Sequence, residues 1–151
     1  MIRKAKLEEI KAIHRLVSEQ AKLGQILPRA ISDLYMQVRD FSVIAEEGSG
    51  EIIGCGALQV VWEDLAEIRS LAVQTSHQYQ GIGTRLIEAL LEESTEMGVK
   101  QVFVLTYRQR LFERLGFAHM DKSLLPHKIW ADCIRCTKFP ECDEIAMVKR
   151  A

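Results

Sequence analysis

The chain lacks the features that would place it in a membrane or an export route. No apolar stretch in its 151 residues reaches the roughly 18 needed to span a bilayer. The opening MIRKAKLEEI is charged and lacks the apolar centre of a secretory signal. That points to the cytoplasm. An excess of one charge is also missing: Lys plus Arg is 20, Asp plus Glu is 21, and the net charge is -1. With no dense basic run, the balance gives no footing for nucleic acid. The four cysteines, Cys55, Cys133, Cys136 and Cys142, come without a secretion signal, so a disulfide framework is not expected. No repeat, low-complexity tract or linker divides the chain.

What is present suits one globular domain over residues 1–151, with 123–143 a cysteine-containing segment near its end. Hydrophobic residues make up 48%, enough for a real core. Met1 to Lys4 reads as a short first strand. Leu7, Ile10, Ile13, Leu16, Val17 and Ala21 fall at helical spacing, with Gly24 a stop. A second helical pattern, Ile31, Leu34, Tyr35, Val38 and Phe41, follows Pro28. SVIAEE, Gly48-Ser49-Gly50 and EIIGCGALQVV read as a hairpin, and Leu65 to Val73 as another strand. A strong amphipathic helix then runs to Gly98, with Leu86, Ile87, Leu90 and Leu91 on one face. QVFVLT is a buried-looking strand, QRLFERLG a short helix, and Phe117 to Met120 and EIAMVKR the last two strands. The order β, α, α, β, β, β, α, β, α, β, β predicts an α/β (α+β) protein with a mixed sheet.

The segment Gln78-Tyr79-Gln80-Gly81-Ile82-Gly83-Thr84 joins a strand to the strong helix. A helix start offers about four unpaired N–H groups and a partial positive charge, a natural anion site. Gly81 and Gly83 let the backbone bend and keep side chains away from a phosphate. A Walker loop is excluded because Gly83 is followed by Thr84-Arg85, and a dinucleotide fingerprint because Leu86 stands where its third glycine belongs. On these residues alone, a tight turn that merely starts a helix is an equal reading.

The wider pattern, AEIRSLAV then Gln-x-x-Gly-x-Gly then an amphipathic helix and a buried strand, resembles the GNAT family of N-acetyltransferases. Gln78, Gly81 and Gly83 fill its fixed positions; Tyr79 stands where many members have another glycine. The resemblance implies the acyl-CoA N-acyltransferase fold, a mixed, mostly antiparallel sheet flanked by helices, with acetyl-CoA as acetyl donor. It implies that amides across Gln78, Tyr79, Gln80, Gly81, Ile82, Gly83 and Thr84 bind the diphosphate, and that Leu71, Ala72 and Val73 bond the pantetheine arm as an added strand would. AEIRSLAV, VFVLT, LFERLGF and DKSLLPHKIW are further similar to bacterial amino-acid N-acetyltransferases, the N-acetylglutamate synthases, in their short single-domain form. That implies a small-molecule amino-acid acceptor, L-glutamate, and a place in arginine biosynthesis.

Acetyl transfer to an amine requires a deprotonated amine, a polarised thioester carbonyl and a protonated leaving thiolate. Strand alternation puts Glu67 and Arg69 on one face, with Ile68 and Ser70 on the other. The resemblance aligns Glu67 with the base of some members, acting through water, and Arg69 suits a substrate carboxylate. An ion pair on a solvated sheet face is the competing reading. The resemblance implies an oxyanion donor at the amide of Leu71 or Ala72. Many members carry an acidic tyrosine where Phe112 stands here, which leaves Tyr107 as acid or as a packing side chain. Leu124 to Trp130 are expected to select the acceptor. Lys128 is expected to hold a second carboxylate. His127, Arg3 and Arg39 stand behind it. Cys133-x-x-Cys136 with Cys142 is half of a zinc pattern, or three reduced or redox-active thiols; no metal is assigned. A homodimer through the sheet edge or the C-terminal segment is a reasonable assembly. The rival functions are an acetyltransferase for a peptide or small-molecule amine, and a non-catalytic acetyl-CoA-binding module.

Overall fold

β-branched and alternating runs build the sheet, and helical stripes cover its two faces. In the computed structural model, which describes residues 2–125 and 144–150, the chain runs β1 (Ile2–Lys4), α1 (Ile10–Lys22), α2 (Ile31–Met36), β2 (Phe41–Ala45), β3 (Ile52–Trp62), β4 (Leu65–Val73), α3 (Ile82–Met97), β5 (Gln101–Thr106), α4 (Gln109–Arg114), β6 (Ala118–His119) and β7 (Ile145–Arg150). The strands form one sheet ordered β1-β2-β3-β4-β5-β7-β6. All neighbours are antiparallel except β4 and β5. A parallel pair needs a crossover, and α3 supplies it.

The stripe Ile10, Ile13, Leu16 and Val17 of α1 packs with Leu34 of α2 on Phe41, Val43, Cys55, Ala57 and Ala72. The opposite face takes Ile87 and Leu90 of α3 and Leu111 and Phe112 of α4 against Leu58, Ala66, Ile68 and Val104. Two glycines on β3 set how closely α3 approaches. A Cβ on Gly54 would lie 3.0 Å from Ile82 Cγ2, and one on Gly56 would lie 3.2 Å from Leu90 Cδ1. The crossover helix therefore lies almost on the β3 backbone, and its first turn is fixed at the end of β4.

Between these glycines, Cys55 points the other way and is fully buried. Its thiol donates to the Ser70 carbonyl at 3.5 Å, and burial pushes its pKa up to about 12.

Three element boundaries differ from the sequence pattern. The first helix opens with a 3-10 turn at Leu7–Glu9, because the Glu9 carboxylate accepts both the Lys6 amide at 2.9 Å and the Arg3 guanidinium at 2.8 Å. Leu7 is left 63% exposed instead of joining the apolar stripe. The second helix stops at Met36, and after a 3-10 turn Phe41 opens β2 because its ring is buried against α1. The strand expected over Phe117 to Met120 shortens to Ala118–His119: Phe117 turns inward, and its ring meets Phe112 edge-on at 5.1 Å. No described helix is long and apolar enough to cross a membrane.

A thiol held protonated to about pH 12 should be inert in the folded protein. Iodoacetamide at mildly alkaline pH should leave the Cys55 peptide unlabelled under native conditions and label it fully in denaturant, read by peptide mass mapping. Rapid native labelling at Cys55 would contradict its burial.

Candidate active site

β4 and β5 begin as neighbours and then separate. Leu65, Ala66, Glu67 and Ile68 pair with Gln101, Phe103 and their neighbours as far as Val104, and the ladder stops there. Both strands continue beyond it. At that point β4 carries an extra residue: Ala57 faces Arg69 and Cys55 faces Ala72, so Ser70 and Leu71 together stand opposite Gly56. Ser70 has φ 55, the left-handed region that L-residues enter at a cost. Such a bulge bends and twists its strand. The strands open into a wedge of about 320 Å³, whose walls include Arg69, Leu71, Val73, Gln78, Tyr107 and Phe112.

The wedge continues into a second cavity of about 270 Å³ at the start of α3, walled by Gly81, Ile82, Gly83 and Thr84 among others. Gly81 is the N-cap of α3 with φ 78, and no side chain caps this end. The first amide bonded back into the turn is that of Arg85, on the Gly81 carbonyl at 3.1 Å. A Cβ on Gly81 would meet nothing within 4 Å, and one on Gly83 would only graze Val73 Cγ2 at 4.0 Å. Packing therefore demands neither glycine; at Gly81 the left-handed backbone does. Tyr79 shares the left-handed conformation, φ 65, with its ring 97% exposed.

The turn is fixed by polar side chains. His77 Nε2 lies 2.7 Å from a Glu46 oxygen, tying the approach of the loop to the β2–β3 hairpin. That bond, with a second from Ser49, holds the Glu46 carboxyl below the usual range. The Val73 carbonyl accepts from Gln78 Nε2 at 3.2 Å and from Gln20 Nε2 at 3.3 Å.

Below the fork, Glu67 and Arg69 share one face, and their side chains are only 9% and 8% exposed, with Oε1 and a guanidinium nitrogen 3.9 Å apart. Arg69 also donates to Gln59 Oε1. A solvated surface pair would not be closed off in this way. Arg69 reaches the wedge wall, whereas Glu67 is not among the residues lining these two cavities.

The two cavities bring together Arg69, Leu71, Val73, Gln78, Tyr79, Gly81, Ile82, Gly83, Thr84 and Tyr107. Ala72 is buried against α1, and Gln80 lines neither cavity. Lys128, His127 and the cysteines at 133, 136 and 142 lie outside the described residues. Sequence reasoning missed Gln20, Arg108 and Arg114. Gln20 had a signal: a glutamine at the next position of the stripe Ile10, Ile13, Leu16 and Val17 must be buried, and a buried amide needs a partner.

A mixed sheet that forks beside a bare helix N-terminus sets an open strand edge next to an anion site, the arrangement of an acyltransferase fold, and the sequence match gives the class. The sequence model of the Acetyltransferase (GNAT) family matches residues 10–117, and the chain belongs to that family, whose acetyl donor is acetyl-CoA. It is 41% identical over 148 residues to an uncharacterised N-acetyltransferase of Chlorobaculum tepidum, covering 98% of this chain and 94% of that one. An amino-acid acetyltransferase of Mycobacterium tuberculosis is 33% identical over 137 residues, 89% of this chain and 78% of the relative. Among solved structures, a Mycobacterium tuberculosis protein in complex with CoA superposes with a TM-score of 0.86 at 27% identity, over 100% of this chain and 99% of that one. The N-acetylglutamate synthase of Neisseria gonorrhoeae, complexed with CoA and N-acetyl-glutamate, gives 0.87 at 26% identity, over 99% of this chain but 34% of the synthase.

Gly81→Val should fold, since its side chain meets open space, but raise the dissociation constant for acetyl-CoA at least tenfold by distorting the turn and screening its amides. Titration calorimetry alongside a thermal melt separates the two effects; unchanged affinity would remove the turn from the site. Tyr79→Gly should raise stability by up to about 1 kcal/mol by relieving the left-handed strain, read by urea denaturation.

Proposed function

We propose that this chain transfers the acetyl group of acetyl-CoA to the α-amine of an amino acid, with L-glutamate as acceptor, the opening step of arginine biosynthesis. The observation that carries the reading is Arg69, a buried guanidinium beside Glu67 that reaches the wall of the forked wedge. A buried cation at the base of an acyl-transfer cleft suits an acceptor that brings its own carboxylate. The mycobacterial relative called an amino-acid acetyltransferase and the gonococcal N-acetylglutamate synthase support the same acceptor class.

The residues present fit the donor. Bare amides from Tyr79 to Thr84 at the start of α3 would hold the diphosphate, and the free edge of β4 from Leu71 to Val73 would receive the pantetheine arm. When bound, acetyl-CoA supplies an acyl group activated by a thiolate leaving group. Glu67 draws the proton from the acceptor ammonium through water, since its carboxylate stands behind the wall. Arg69 holds the α-carboxylate, and Lys128 is the candidate for the side-chain carboxylate. The Leu71 amide, in the bulge and on the wall of the wedge, is the donor placed to polarise the carbonyl in this reading. Tyr107 lines the wedge and carries the phenol that can protonate the departing sulfur; Phe112, on the wall of the same wedge, supplies only an apolar surface.

An assay of CoA release against the twenty amino acids tests the acceptor. Turnover confined to glutamate is the expected result; turnover of unrelated amines, or acetyl-CoA binding without turnover of any amino acid, would sink it. Glu67→Gln should lower kcat/KM about 10²- to 10⁴-fold while leaving acetyl-CoA affinity nearly intact. Arg69→Gln should act mainly on KM for the amino acid.

A further inference from the structure

The cavity at the start of α3 has a second wall that the glycine turn does not account for. Arg108, the N-cap of α4, and Leu111 and Arg114 within it are spaced three residues apart, and all three line it. That spacing puts Leu111 and Arg114 on one ridge of the helix, with Arg108 at its start. Leu111 anchors the ridge, being 8% exposed and part of the core beneath α3. Phe112 is packed into the same core and fixes which side of α4 faces the cavity. The two arginines are exposed and line the same cavity as Gly81, Ile82, Gly83 and Thr84.

No described residue neutralises these guanidinium groups. Neither takes part in an ion pair or side-chain hydrogen bond among the described residues. Among the described residues no aspartate or glutamate lines the cavity, although acidic residues number 21 in the chain. Acidic residues are also missing from the first turn of α3. One small cavity thus collects a helix N-terminus, two glycines and two uncompensated guanidiniums. Each favours an anion, and together they favour one that exposes oxygens on two sides.

We propose that Arg108 and Arg114 close on the diphosphate of acetyl-CoA from the side opposite the glycine turn, as a two-sided clamp. This rests on the assignment of the diphosphate to that turn. The amides of residues 79–84 contact one side of the group and fix its position. The arginines contact the other side and neutralise its charge. They touch no reacting atom, so they act on donor binding and its salt dependence rather than on the transfer step.

Arg108→Gln, Arg114→Gln and the double variant test this, with acetyl-CoA and acetyl-3′-dephospho-CoA as the two donors. Both keep the diphosphate, and only the first has the ribose 3′-phosphate. The expected result is a rise in donor KM of roughly fivefold to tenfold per arginine, equal for the two donors, with kcat changing far less. The salt dependence of KM should flatten, and lysine at each position should recover part of the loss. A loss confined to acetyl-CoA would overturn the proposal, because the arginines would then read the 3′-phosphate. Unchanged KM in the double variant would overturn it as well. If Gly81→Val loses donor binding while the arginine variants do not, the clamp fails and the turn assignment stands. If Gly81→Val binds normally, the turn assignment itself fails. A thermal melt within a few degrees of the parent's confirms that these exposed substitutions leave the fold in place.

Discussion

One surplus residue in β4 shapes this protein. Ser70 and Leu71 stand where β3 supplies only Gly56, and the left-handed turn at Ser70 redirects the strand away from β5. A continuous parallel ladder would have filled the interior with backbone hydrogen bonds and left no cleft. The bulge has support on both sides. The Cys55 thiol donates to the Ser70 carbonyl, and Leu71 fills the space above Gly56, where a Cβ would sit 3.1 Å from Leu71 Cδ1. A buried carbonyl without a donor costs on the order of 1–3 kcal/mol, so Cys55 is best understood as structural. Its pKa, raised to about 12 by burial, fits that role and argues against a reactive one.

The fork also explains the arrangement of charge. Glu67 is the third β4 residue still paired to β5, and Arg69 is the first residue past the last pair at Ile68. A buried carboxylate and guanidinium are therefore presented at the base of an opening, with Gln59 as a further partner of Arg69. A buried ion pair is a poor source of stability, because desolvation offsets most of its attraction. The proposed function draws on this pair for that reason. Anion-binding features gather a few residues further along, where α3 begins with no capping side chain. The close approach of α3 to Gly54 and Gly56 fixes where that helix end falls relative to the free edge of β4.

Much of this was legible in the one-dimensional pattern. The strands Leu65–Val73 and Gln101–Thr106 have the bounds their composition suggests, and the order of helices and strands follows the periodicity. The glycine turn was legible because glycine is the residue that tolerates φ 78 at the N-cap without strain. Tyr79 adopts the same region and gives no such sign. Leu7 and Phe41 were misread for one reason: their spacing fits a helix, while their partners in space, Arg3 and Glu9 for one turn and the α1 stripe for the other, decide otherwise. Gln20 was visible as a polar break in an apolar stripe, yet its partner, the Val73 carbonyl, lies 53 residues away.

The sequence by itself determined the elements, the family, and the glycine turn, because each follows from local rules: side-chain periodicity, helix ends and the conformational range of glycine. It placed Glu67 and Arg69 on one face, because alternation along a strand is local too. Only the tertiary structure decided that β4 separates from β5 after Ile68, that this pair is buried, and that Arg108 and Arg114 line one cavity with Gly81. Those facts depend on the register between strands and on the packing of α3 and α4 over the sheet. Register and packing are set by many contacts between residues far apart in the chain, and no short window of sequence contains them.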